Sequence, residues 1–127
     1  MSAIETKPSV GPKGVRKSST KKIYYVLAII SAVIHSAIWI LLLWKIPYTE
    51  QTVFLHYNIY FGIDLTGSWA QLLWMPLSGL VILIVNTIIV MMSKTFDKSI
   101  LLAISIITLS LQCVLLLASL LVVLLNA

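Results

Sequence analysis

The chain has 127 residues, 60% of them hydrophobic and 10% charged, with a mean hydropathy of +1.04. Soluble domains carry about 25% charged residues, so too few charges remain here to coat a water-soluble ball, and the apolar residues come in blocks too long for core strands. Those numbers exclude an ordinary globular enzyme, a disordered chain and a coiled coil, and leave a small integral membrane protein of one domain.

Six of the nine basic residues (Lys7, Lys13, Arg16, Lys17, Lys21 and Lys22) precede the first apolar block, together with prolines, glycines and a Ser-Ser-Thr run. Such a composition buries too little apolar surface to offset chain entropy, which predicts a disordered basic tail over residues 1–22. Juxtamembrane cations are attracted to anionic headgroups by about 1 kcal/mol each. Lys17, Lys21 and Lys22 lie close enough to the bilayer to make such contacts, so anionic lipids are the expected partner of the tail. No folded module accompanies the charges, and nucleic acid is not expected as a partner.

Three spans follow in chain order within a membrane domain over residues 23–127. Ile23 to Trp44 carries no formal charge and makes about 33 Å of helix, enough for a hydrocarbon core of roughly 30 Å. A secretory signal would have a shorter apolar region and a cleavage site of small residues, so this block reads as a retained anchor. Residues 45–68 connect it to a second span over 69–92, with Pro76 near the start, where a first turn tolerates the missing donor. A short loop over 93–98 leads to the third span, 99–125. The expected fold is all-α: an antiparallel three-helix transmembrane bundle with a disordered basic N-terminal tail.

Basic flanks set the orientation. With the N-terminus in the cytoplasm, the six tail residues plus Lys94 and Lys98 put eight cations inside and leave Lys45 outside. Tyr24 and Tyr25 then mark the inner interface and Trp44, Tyr48, Trp69 and Trp74 the outer one, as interfacial aromatics do. The 45–68 connection is therefore the outer loop and 93–98 the inner one, and the C-terminus lies outside.

Each span carries one small or polar stripe. At 100° per residue, Ala28, Ser31, Ala32, His35 and Ser36 fall within roughly 140° on the first helix. Ala28, Ala32 and Ser36 form a small-xxx-small series that allows close backbone approach in lipid. Gln71, Ser78, Gly79 and Asn86 share about 100° of the second helix, and Ser105, Thr108, Gln112 and Ser119 about 60° of the third. His35 and Gln112 both lie about 18–20 Å from the inner boundary, with Ser31, Asn86 and Thr108 about 10–14 Å up. The stripes are expected to face one another, with His35 near Gln112 and Asn86 near Ser31 or Thr108.

His35 reads as a hydrogen-bonded packing residue, its imidazole neutral in an apolar setting. A proton relay or ligand site is the sharper reading, but no acid or other base accompanies it in any span. Cys113, the one cysteine, reads as a small buried hydrophobe that leaves no disulfide to form.

The outer loop is unusually apolar: over residues 53–64 the side chains alternate with a period of two. The pattern predicts an extended piece on the membrane surface, with His56, Asn58 and Asp64 on one side. His56, Asp64 and Glu50 have the chemistry to hold a cation such as zinc, yet no spacing places them on one rigid face. No metal or other cofactor is expected, nor any nucleophile–base–acid order or phosphate cradle. Pro47, then His56 and Asn58, then Gly62 and Asp64, placed between a first and a second span, resembles the outer connection of SdpI-type bacterial membrane proteins. The chain is also similar to small three-span membrane proteins of reduced-genome bacteria. The first resemblance implies a bacterial plasma membrane and a role in immunity to a secreted toxin or in signalling, with those five residues as the shared motif.

The functional expectation is a non-enzymatic membrane component, an interaction, accessory or immunity-like protein that binds a membrane-protein partner or a second copy of itself. The alternative is a subunit of a homo-oligomeric transporter or channel, with His35 and Gln112 lining the path between copies.

Overall fold

The computed structural model describes residues 17–93 and 96–126, with side chains from Lys22 onward. In chain order it has α1 (Lys17–Lys45), a β-hairpin of β1 (Val53–Asn58) and β2 (Gly62–Gly67), a single turn α2 (Trp69–Leu72), α3 (Trp74–Met92) and α4 (Lys98–Asn126). Three stretches, Lys22–Lys45, Trp69–Met92 and Lys98–Asn126, are helical, long and apolar enough to cross a membrane. Their outward faces are bare Ile, Leu and Val, as at Val33, Ile107 and Leu117.

Several expectations are corrected or refined. The first concerns the tail: residues 17–22 already belong to α1. They lack the prolines and glycines found further upstream, lysine is a good helix former, and extending an existing helix avoids the cost of nucleation. Residues 1–16, and Lys94 of the 93–98 loop, lie outside the described residues. Second, the 69–92 span stands with its expected bounds, with its helix interrupted at Leu73 in the loose first turn. A proline ring collides with the carbonyl four residues back, here that of Leu72, so the turn before Pro76 cannot stay regular; the chain re-enters with Leu77 N–H donating to the Leu73 carbonyl at 3.0 Å. Third, the 45–68 connection is not a single extended piece but an antiparallel hairpin, so the fold is mostly helical rather than all-α. Fourth, Cys113 is exposed on α4 rather than buried.

The helices run up, down and up, so α1 and α4 are parallel and α3 is antiparallel to both. The parallel pair packs most extensively. At one end the Tyr24 hydroxyl donates to the Lys98 carbonyl at 3.1 Å; at the other, where the hairpin sits, Ile38 and Leu42 of α1 and Ile46 just beyond it meet Val122 and Val123 of α4 in the apolar core. The buried face of α1 is Ser31, His35, Ile38 and Leu42, recurring every three or four residues, which is the stripe a helix presents to its neighbours. Ala32 and Ser36 are exposed, so the small-residue series of α1 lies beside the seam rather than in it. On α3 the buried positions are Pro76, Gly79 and Leu83; Gln71 and Ser78 are exposed. The α4 stripe of Ser105, Thr108, Gln112 and Ser119 is buried throughout.

The hairpin is seated on the bundle by backbone and core together. Val53 is buried in the cluster that holds Ile46, Leu72, Val122 and Val123. The Asn126 side chain grips the peptide of Phe54 from both sides: its Oδ1 accepts from Phe54 N–H at 2.9 Å, and its Nδ2 donates to the Phe54 carbonyl at 2.8 Å. Asn126 also donates to Val122 O on its own helix. The three-residue loop 59–61 closes through Gly62 at φ +76°, the left-handed position that such loops need and glycine supplies without a Cβ penalty. Asn58 Oδ1 accepts from Tyr60 N–H at 2.9 Å and tightens the turn. At the return to the bundle, Trp69 Nε1 donates to the Ile46 carbonyl at 3.0 Å, and a side chain at Gly67 would collide with Gln71 and Leu55.

Candidate functional site

Two histidines mark the two places where polar chemistry concentrates. The first is inside the bundle. His35 and Gln112 are 4% and 0% exposed, and His35 Nδ1 lies 3.0 Å from Gln112 Oε1. Trp39 Nε1 donates to His35 Nε2 at 2.9 Å, and Gln112 Nε2 donates to the Gly79 carbonyl at 3.0 Å. An indole nitrogen only donates, so His35 Nε2 must accept and Nδ1 must carry the proton that Gln112 Oε1 receives. The network therefore selects the tautomer with its hydrogen on Nδ1. It runs in one direction, from Trp39 through His35 and Gln112 to Gly79, and joins α1, α4 and α3 in a single layer.

Gly79 lies directly against the layer. A Cβ there would strike the Leu115 side chain and come into ordinary contact with His35 at 3.6 Å and Gln112 at 3.7 Å, so α3 approaches α4 closely at the height of the Gln112–Gly79 bond. A second layer lies toward the other end, where Asn86 Nδ2 donates to Thr108 Oγ1 at 2.8 Å and Thr108 Oγ1 donates to Ile104 O. Ser105 and Ser119 donate to carbonyls of their own helix. Ser31 is buried, and its hydroxyl has no hydrogen-bond partner among the described residues. The structure thus brings His35 to Gln112 and Asn86 to Thr108, and leaves Ser31 outside both pairs. Trp39 is a member that sequence reasoning missed, although its place four residues after His35 puts it on the same helix face.

The second histidine is in the hairpin. His56 Nδ1 and Asp64 Oδ1 are 2.7 Å apart across the strands, with side chains 62% and 36% exposed. Irregular pairing around His56 shifts the register locally and brings Asp64 beside it. Of the five loop-motif residues, His56 and Asp64 form this pair, and Asn58 and Gly62 are paired with each other at the turn. Pro47 stands apart in the α1–β1 connection. No group of three or more His, Cys, Asp or Glu side chains placed to hold a metal ion occurs among the described residues. At the opposite end, α1 begins with Lys17, Lys21 and Lys22, and the Lys22 side chain is exposed.

No protein-family model matches the chain, and neither a curated protein nor a solved structure matches it significantly.

Proposed function

We propose that the protein is a non-enzymatic component of a bacterial plasma membrane that binds another membrane-associated protein through the polar face of its hairpin. In this reading the N-terminus is cytoplasmic, the hairpin and the C-terminus are outside, and Lys17, Lys21 and Lys22 rest on anionic lipid at the inner surface. The observation that carries the proposal is how the polar groups are used. His35, Gln112, Asn86 and Thr108 spend their hydrogen bonds on one another and on helix carbonyls, while His56 and Asp64 are held open on a hairpin clamped to the bundle. A rigid scaffold displaying an exposed polar pair is built for contact with a partner. An immunity-like role, as the SdpI-type resemblance implies, is one form of the same reading.

The transport alternative needs His35 and Gln112 to face a path between copies. Both sit inside one protomer, so the helices would have to part before either met a permeant group.

Site-specific photo-crosslinking in native membranes tests the proposal. A crosslinker at position 66 of the hairpin should capture a distinct membrane protein, with the adduct reduced when His56 and Asp64 are both changed to Ala. Adducts only from a lipid-facing position such as 33, or none from the hairpin, would reject it.

A further inference from the structure

The hairpin has two unlike faces. Tyr57 and Ile63 are directly opposed across the strands, so they share a side. Their neighbours His56 and Asp64 pair on the other. The side of Tyr57 can be traced to the bundle. Val53 is opposed to Gly67 and buried in the core, and Leu55 lies against the position a Gly67 side chain would take. Alternation along a strand puts every second side chain on the same face. Leu55, Tyr57 and Ile63 therefore continue the face that begins inside the bundle, and the Ile59-Tyr60-Phe61 turn at its far end carries no charge.

The direction of the hairpin follows from Val53. Its side chain enters a cluster formed by the ends of three helices, with Ile46 closing α1, Leu72 in α2 and Val122 and Val123 in α4. A side chain that caps a bundle from its end points along the bundle axis, and side chains stand roughly perpendicular to their sheet. The strand then runs across the bundle end. Six steps from Val53 to Ile59 cover roughly 20 Å, whereas helices packed 8–10 Å apart give a three-helix bundle a radius of only about 10 Å. A strand lying this way carries the outer half of the hairpin past the rim, in keeping with Ile59, Tyr60 and Phe61 being 80%, 86% and 83% exposed.

We infer that the overhanging hairpin lies flat in the interfacial layer of the bilayer, with the Tyr57–Ile63 face against lipid and the His56–Asp64 face toward water. Tyrosine and tryptophan favour this depth, and Trp44, Tyr48 and Trp74 stand exposed at the same end of the bundle. The inference rests on the helices spanning the bilayer, and it assigns the apolar face to lipid while leaving the polar face for the partner proposed above.

Spin labels on the full chain reconstituted in phosphatidylcholine liposomes test it. With Cys113→Ser as background, single cysteines are placed by Tyr57→Cys, Phe61→Cys, His56→Cys and, within a span, Val33→Cys. Labels at 57 and 61 should collide with oxygen several-fold more, relative to a water-soluble nickel chelate, than the label at 56, although 56 and 57 are adjacent. Equal, water-like ratios at 56, 57 and 61 would show the hairpin standing clear of the bilayer and overturn the inference. Labels at 57 and 61 shielded from both reagents would show a second copy covering that face, and would overturn it as well. A water-like label at 33 would instead reject the spanning of the helices themselves.

Discussion

His35 and His56 are the same residue in opposite settings, and the contrast separates what builds this molecule from what it presents. His35 is enclosed by three helices, and each ring nitrogen has one partner whose role is fixed. His56 meets a single carboxylate on an open hairpin. Around the first, every neighbour restricts its neighbour, so a change propagates through the layer. Around the second, water competes for each contact, so a change stays local. In lipid a hydrogen bond between helices contributes about 0.6 kcal/mol on average; the layer matters less for its strength than for the register it imposes, because Gln112 reaches Gly79 O only when α3 and α4 are aligned at that height.

The contrast predicts an order of effects. Gly79→Leu should be the most damaging change, since it drives a branched side chain into Leu115 and pushes α3 away from Gln112. Overpacking of this kind costs about 1–3 kcal/mol and sometimes more, and should appear as a lowered midpoint in detergent unfolding. Gln112→Leu comes next: it leaves the His35 Nδ1–H and the Gly79 carbonyl without this partner, at roughly 1–3 kcal/mol for a buried polar group left unpaired. A double change with His35→Phe should recover part of that loss, and failure to recover would break the assignment of the pair. Asn126→Leu should cost about 1 kcal/mol and loosen the hairpin selectively, read as faster amide exchange at Phe54 with α1 and α3 unaffected. His56→Ala should be the mildest, under about 1 kcal/mol for an exposed pair, with its effect confined to partner crosslinking. A stability loss at His56 equal to that at Gln112 would erase the distinction between the two regions.

The three long helices are legible in the sequence because a bilayer admits few alternatives to a long apolar helix. The facing of His35 and Gln112 is legible from depth arithmetic, since a rise of about 1.5 Å per residue puts both at one height. The hairpin is less so. Its period-two alternation announces strand, but the reversal depends on reading residues 59–61 as a three-residue loop closed by Gly62, a signal hidden among aromatic and β-branched residues that suit an unbroken strand equally well. The break at Leu73 follows from Pro76 once the carbonyl four residues back is considered. The grip of Asn126 on Phe54 joins positions 72 residues apart and is invisible to any local pattern; its only hint is a polar side chain seven residues beyond Ser119, on the same stripe of α4.

The directed network through His35 ties the three helices together at one height. Nitrogen-15 NMR of histidine-labelled protein in bilayers reads it directly at neutral pH. The prediction is that the His35 hydrogen resides on Nδ1, with the indole of Trp39 donating to Nε2. A His35 ring carrying its hydrogen on Nε2 would contradict the network, and with it the packing of the three helices around Gln112.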